Sequence, residues 1–223
     1  MKIVVFSDIH GQMSNKLTQW FDKNPADLLL FAGDLQTNNI DSGIAFLDWL
    51  HRLPYINKVM VFGNHDGNYE QTIDHLINKK YNDITILTDA YITIQGIKIF
   101  GSPQSLKFGR WWFMKEDREL AEIWKKIPDD TDILLTHGPP YGVLDETFDH
   151  IRTGSASLLD KIFKLENLRY HVFGHIHEAY GIKVIGRKTF INTSILDEYY
   201  QFAHFPIIID YDNNSLTETE ENE

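Results

Sequence analysis

Two short stretches carry pairs of side chains that could chelate a cation. FSDIHG holds Asp8 and His10, and VFGHIHEAYG holds His175 and His177. Residues i and i+2 of an extended segment face the same way, so each pair can offer two donors to one point. One such pair proves little, because histidine is common at strand ends as a hydrogen-bonding residue. Other apolar runs, however, end the same way. Gly33-Asp34 follows DLLLFA, Gly63-Asn64-His65-Asp66 follows KVMVF, and Thr136-His137-Gly138-Pro139-Pro140 follows DILL. Taken singly, Asp8 could cap a helix, Asp34 or Asn64 could close a turn, and His137 could be a loop histidine. All these independent readings would have to hold together, which is improbable.

Aspartate, asparagine and histidine without cysteine form a nitrogen and oxygen donor set that suits manganese, iron, zinc or nickel. A catalytic zinc takes about three protein ligands and leaves a position open. The donors here exceed that number and imply two ions with a shared carboxylate. Paired ions about 4 Å apart clamp the attacking and leaving oxygens of an in-line phosphoryl displacement. Two dications against Asp8 and Asp34 leave a net charge of about +2, enough for a hydroxide and a phosphate anion. A bridging water there would ionise near neutral pH.

The elements that must position these residues follow from periodicity. Lys2–Phe6, Asp27–Ala32, Lys58–Phe62, Asp132–Thr136 and Tyr170–Phe173 read as strands, short and apolar as in strands buried on both faces. Asn15–Asp22, Asp41–Leu53, Asn68–Lys80, Glu116–Ile127 and Ser155–Leu165 read as helices, the last with a serine in the N-cap position. Tyr91–Ile94 with Ile97–Gly101, and Tyr180–Ile185 with Lys188–Ile191, read as hairpins turning on glycine, and Pro206–Tyr211 as a last strand. Strands alternate with helices early and hairpins come later, which predicts α/β layers with mixed sheets. Residues 1–211 are expected to form one domain, with an acidic tail, 212–223, that frays. In α/β sheets ligands bind outside the carboxyl ends of strands, where the donors fall. Glycine beside each donor suits a backbone that turns sharply and approaches a ligand closely.

Composition narrows the functions. The 223 residues carry a net charge of −11, which argues against non-specific binding to duplex nucleic acid or an anionic membrane. The absence of cysteine excludes disulfides, thiolate metal sites and cysteine nucleophiles. The N-terminal MKIVVFSDIHG is too short in apolar residues for a secretory signal, and no apolar run is long enough to span a bilayer. The expectation is a cytoplasmic protein.

The ordered set Asp8-x-His10, Gly33-Asp34, Gly63-Asn64-His65-Asp66, Thr136-His137-Gly138 and Gly174-His175-x-His177 resembles the calcineurin-like metallophosphoesterase superfamily over roughly residues 3 to 195. THGPPYGVLD, HVFGHIHEAYG, FINTSI and IKIFGSPQSLKFGRWWF further resemble its metallophosphoesterase-domain-containing group. The resemblance implies a four-layer α/β/β/α sandwich of two mixed sheets flanked by helices. It implies that Asp8, His10 and His177 hold one ion, that Asn64, His137 and His175 hold a second, and that Asp34 bridges them. It gives His65 the part of general acid or transition-state stabiliser, and Asp66 that of its orienter. Manganese is the first expectation for the ions, with iron, zinc, nickel, cobalt or magnesium as alternatives. Gln36-Thr37-Asn38 matches no pattern with an assignable substrate.

Hydrolysis of phosphodiester bonds in a small, nucleotide-like substrate is the leading expectation, cyclic nucleotides being the class the group implies. A phosphomonoesterase or protein phosphatase, and a metal-binding scaffold without turnover, are the alternatives. Trp111 and Trp112, in FGRWWF, are expected either to cover the sheet or to wall the site as a stacking surface. Arg152 is a candidate phosphate contact beside the plain reading of a solvated loop charge.

Overall fold

The computed structural model describes residues 1–35, 40–67 and 80–218. Its strands are β1 (Lys2–Phe6), β2 (Leu28–Phe31), β3 (Asn57–Met60), β4 (Ile84–Ile86), β5 (Ala90–Ile94), β6 (Ile97–Ser102), β7 (Ser105–Leu106), β8 (Met114–Lys115), β9 (Ile133–Thr136), β10 (Tyr170–Phe173), β11 (Gly181–Ile185), β12 (Lys188–Asn192), β13 (Ile207–Asp210) and β14 (Ser215–Thr217). The helices are α1 (Asn15–Lys23), α2 (Ile40–Arg52), α3 (Asp117–Trp124) and α4 (Ala156–Lys164). The helix expected over 68–80 lies outside the described residues except for Lys80, as does the 36–38 segment.

Two sheets form. One runs β14-β13-β1-β2-β3-β4 and the other β11-β12-β10-β9-β6-β5. In the first, β1 to β4 are parallel and β13 and β14 are antiparallel additions. In the second, β12, β10, β9 and β6 are parallel, with antiparallel edges β11 and β5. Parallel strands point their carboxyl ends the same way, so the loops that carry the donors gather at one end of each sheet.

Alternation along the strands explains the layering. Ile3, Val5, Leu28 and Leu30 of the first sheet share a core with Ile99, Ile133, Leu135 and Val172 of the second. Val4, Phe6, Leu29 and Phe31 face the other way and pack on Leu17 and Phe21 of α1 and Phe46 and Leu50 of α2. Phe100, Leu134, Phe173 and Phe190 likewise pack on Leu120 and Trp124 of α3 and Leu158 and Ile162 of α4. Each central strand is thus apolar on both faces, and the outcome is the four-layer α/β/β/α sandwich. Ser14 and Ser155 cap α1 and α4, their hydroxyls accepting from Leu17 and Leu158 amides.

Two features depart from the sequence reading. β4 is a three-residue strand, too short to announce itself by periodicity. The start of the tail expected to fray forms a turn and then β14, which pairs with β13. Asn214, in left-handed backbone with φ of 50°, makes that turn.

Candidate metal centre

Five loops at the strand ends bring the expected donors together. One carboxylate or imidazole atom each from Asp8, His10 and His177 lies within 4.8 Å of the others. Asp34, His137 and His175 form a second such group. Asn64 joins the second, its Oδ1 sitting 2.8 Å from His137 Nε2. Asp34 Oδ2 faces both groups, at 3.6 Å from His10 Nε2 and 3.5 Å from His137 Nε2.

The backbone is bent to achieve this. Asp8, His10, Asp34 and His175 all have left-handed φ, between 42° and 73°. The left-handed region costs a non-glycine residue roughly 1–2 kcal/mol, and such outliers cluster where a site needs a particular aim. Cross-loop hydrogen bonds hold them there. The Asp8 amide donates to the Gly33 carbonyl at 2.9 Å and the His10 amide to the Asp34 carbonyl at 3.2 Å. Asp8 Oδ2 accepts from the Ser7 and Ser194 hydroxyls, at 2.5 and 2.9 Å, and from the His175 amide at 3.0 Å. Asp8 Oδ1 lies 3.6 Å from His177 Nε2.

Tautomers follow from the same bonds. A carbonyl can only accept, so His137 Nδ1 donates to Ala32 O at 2.9 Å and His177 Nδ1 donates to Asp197 O at 2.9 Å. Each Nε2 is thereby presented to the donor cluster, the usual second bond of a metal-ligating histidine. Asp66 anchors the Asp34 turn. Its buried carboxylate accepts from the amides of Gly63 at 2.7 Å, Asp34 at 2.9 Å and Leu35 at 3.1 Å. The Asp34 Oδ1 atom accepts the His65 amide at 2.9 Å. Asp66 therefore acts visibly on the proposed bridge, a role that the sequence reading did not give it.

The electrostatics describe a cluster arranged around positive charge. Burial pushes Asp8 and Asp34 up, yet His177 for the first and His137 for the second hold them well below the usual carboxylate range. Burial lowers His137 and His177, but Asp34 and Asp8 respectively outweigh it and raise both to about 9. Desolvation, acting first, takes His10 down to about 4 and His175 to about 3. Burial, then the Asp34 charge, raises Asp66 well above the usual range. The two carboxylates thus favour positive charge beside them, the charge that cations would supply. Among the described residues, both ring nitrogens of buried His10 lack a hydrogen-bond partner, which a metal ion would satisfy. The donor chemistry fits divalent ions.

The groups open into a cavity of about 180 Å³, lined by His65, Phe108, Glu178, Glu198 and Tyr200 among others. A larger groove of about 610 Å³ between α3 and α4 is lined by Lys125, Lys126, Lys161 and Lys164 with Asp129 and Asp160, and among the described residues it holds no candidate metal group. The chemistry therefore belongs to the smaller cavity. His65 is half-buried, its ring centroid 5.0 Å from that of His10 and 4.4 Å from that of Trp111. The aromatic loop is pinned at its base by β7 and β8. Phe108 leans on His175 with centroids 5.5 Å apart.

Trp112 and Arg152, the other two expected substrate contacts, have partners of their own. The Trp112 side chain packs onto Gly67, where a Cβ would come within 2.0 Å of the indole, and its amide donates to Asn64 O at 3.2 Å. It clamps the loop; neither tryptophan is among the residues lining the cavity, and Trp111 borders it through His65. Arg152 faces Asp145 at 3.5 Å and Glu146 at 3.6 Å, and it too is absent from the cavity lining. The sequence reading passed over Tyr200, whose ring lies 4.8 Å from His10 and 5.0 Å from His177. It also passed over Glu178 and Glu198. The one available signal was position, since DEYY follows the apolar FINTSIL closely.

Close packing yields a test. A Cβ on Gly174 would sit 2.1 Å from Asp8 Oδ2 and 2.2 Å from Ser7 Oγ. Gly174→Ala should displace the Asp8 carboxylate and weaken metal binding at the Asp8 group by about 10–100-fold, the usual cost of disturbing a ligand's supporting shell. Metal titration followed by calorimetry measures it, and wild-type affinity at both sites would refute it.

Comparison with known proteins places this architecture. A family model described as calcineurin-like phosphoesterase matches residues 1–179. Human metallophosphoesterase domain-containing protein 1 is 33% identical over 234 residues, covering 94% of this chain and 70% of the relative. A solved crystal structure superposes with a TM-score of 0.78 at 16% identity, covering 97% of both chains. Another, described as a novel archaeal phosphodiesterase, gives 0.60 at 18% identity, covering 98% of this chain and 99% of that one. Those two likenesses concern the fold. With a family match across most of its length and two adjacent donor groups at its strand ends, the chain belongs to the calcineurin-like phosphoesterase family of metal-dependent enzymes.

Proposed function

We propose that this protein hydrolyses phosphodiester bonds of small substrates at a binuclear centre. Asp8, His10 and His177 would hold one ion, Asn64, His137 and His175 would hold the other, and Asp34 would be shared between them. The position of Asp34 Oδ2, near equidistant from a histidine of each group, carries this reading. Manganese suits the mixed nitrogen and oxygen donors. Bound divalent ions would supply a nucleophile from water and neutralise phosphoryl oxygens.

The chain's own residues do the rest. Asp66 fixes the turn that aims Asp34. His65, at the cavity wall, donates a proton to the departing alkoxide, and Trp111 restricts how its ring can turn. Phe108, Trp111 and Tyr200 present exposed aromatic surface around the opening, suited to a base or another flat substituent.

Diesters should be turned over better than monoesters. A monoester brings two negative charges, which two dications beside Asp8 and Asp34, about +2 in all, would balance with nothing to spare. It also offers no second alcohol for the aromatic walls. Activity should be restored to metal-stripped protein by manganese, and kcat/KM for bis-p-nitrophenyl phosphate should exceed that for p-nitrophenyl phosphate. Trp111→Ala should raise KM for a 2′,3′-cyclic nucleotide roughly fivefold or more, since stacking a base on an aromatic is worth about 1–3 kcal/mol. Monoester preference on the same metal preparation would move the assignment to a phosphomonoesterase.

A further inference from the structure

The cavity lining contains two carboxylates that neither donor group uses, Glu178 and Glu198. Among the described residues, no lysine or arginine lines it. A site that receives a phosphate anion through such an opening relies on its metal ions for positive charge. The protein's own contribution at the rim is negative.

These side chains are attached to the centre itself. Glu178 follows His177 directly in the chain, and its Oε1 accepts the Phe148 amide at 3.2 Å. Glu198 follows Asp197, whose carbonyl accepts from His177 Nδ1 at 2.9 Å. Both glutamates are exposed. Tyr200 completes this side. Its backbone is left-handed, with φ of 59°, and its amide donates to the Asp197 carbonyl at 2.9 Å. Its own carbonyl accepts from Gln12 Nε2 at 2.6 Å. A tyrosine held in that conformation by two hydrogen bonds is placed, not loosely draped. Phe108 and Trp111 stand on the aromatic loop, against His175 and His65.

Consider what this rim does to an arriving diester. The single phosphate charge is taken by the ions. A second anionic group on either alcohol meets two carboxylates and the negative faces of aromatic rings, and is repelled. A neutral alcohol meets apolar ring surface. A cationic alcohol gains both ion pairing and cation–π contact. We propose that Glu178 and Glu198, together with Tyr200, Phe108 and Trp111, form a charge-selective rim. The rim admits phosphodiesters with neutral or cationic alcohols and rejects those that carry a second anionic group. This proposal rests on the phosphodiester reading above and adds the substrate class to it.

The test uses three p-nitrophenyl phosphodiesters of similar size on the metal-loaded enzyme at low salt. Their second alcohols are choline, 3,3-dimethylbutanol and a carboxylate-bearing alcohol. The expected order of kcat/KM is cation, neutral, anion, with about tenfold or more between the extremes, because exposed ion pairs and cation–π contacts are each worth a few-fold. The spread should narrow in high salt. In the Glu178→Gln, Glu198→Gln double variant it should fall to about twofold, a ratio read within one preparation and so independent of its total activity. Tetramethylammonium, a probe without phosphate, should bind the metal-loaded wild type detectably by calorimetry and the double variant more weakly. Equal rates across the series, or a preference for the anion, would overturn the rim. A spread that survives the double substitution would overturn its assignment to these glutamates. If no diester is hydrolysed while tetramethylammonium binding still depends on the glutamates, the rim stands and the phosphodiester reading falls.

Discussion

Asp34→Asn should bind at most one metal ion per chain and lose measurable turnover. The substitution keeps the shape of the side chain, and an amide oxygen can still accept the His65 amide that Oδ1 accepts now. What it removes is the negative charge 3.6 Å from His10 and 3.5 Å from His137, at an atom that faces both donor groups. Two dications about 4 Å apart repel each other by roughly 4 kcal/mol even at the dielectric of water, and by several times more at the effective value of about 20 found in proteins. Asp8 neutralises charge on one side only, so the second ion has nothing to offset that repulsion. Metal analysis after exhaustive dialysis, alongside kcat, decides the matter. Two ions per chain with near-normal turnover would remove Asp34 from the bridging position.

His65→Ala should behave in the opposite way, keeping both ions and losing rate. The His65 side chain belongs to neither donor group, although it lines the same cavity. Proton transfer from a positioned side chain is typically worth about 10²–10⁴-fold, and kcat should fall by that order. The deficit should shrink for a good leaving group such as p-nitrophenolate, which needs little protonation, and grow for an alkyl ester. A variant that loses a metal ion, or loses the same factor for every leaving group, would mean that His65 is a ligand or a packing residue. The contrast with Asp34→Asn separates holding the ions from using them.

The legible parts of this molecule are those where one local rule dominates. A strand buried on both faces must be apolar throughout, so its end is marked by the first glycine and polar residue. Phe6-Ser7-Asp8, Phe62-Gly63-Asn64 and Phe173-Gly174-His175 show that boundary plainly. The donors could therefore be gathered before any coordinates, and their roles could be inferred from family resemblance.

The rim was not legible, for a physical reason. Glu178, Glu198 and Tyr200 sit in irregular segments whose composition resembles any wet surface, and long-range contacts place them. The bond between Gln12 Nε2 and the Tyr200 carbonyl spans 188 residues of chain. Nor does sequence say what each of two adjacent tryptophans packs against. Trp111 leans on His65 and Trp112 on Gly67 because the loop between β7 and β8 turns there, with Phe113 in left-handed backbone. The partners of Arg152, Asp145 and Glu146, are likewise close in the chain but far from diagnostic by type. β14 was harder to find: Asp212-Asn213-Asn214 is turn chemistry, but the Ser215-Leu216-Thr217 that follows holds a single apolar residue in an acidic tail.

The central claim is a pair of ions joined by one carboxylate, and its most direct test is a titration of metal-stripped protein with manganese, followed by electron paramagnetic resonance. The account predicts saturation at two equivalents, with a spin-coupled signal that appears together with phosphodiesterase activity and is missing in Asp34→Asn. Saturation at one equivalent, or two equivalents giving only the signal of isolated ions, would contradict it.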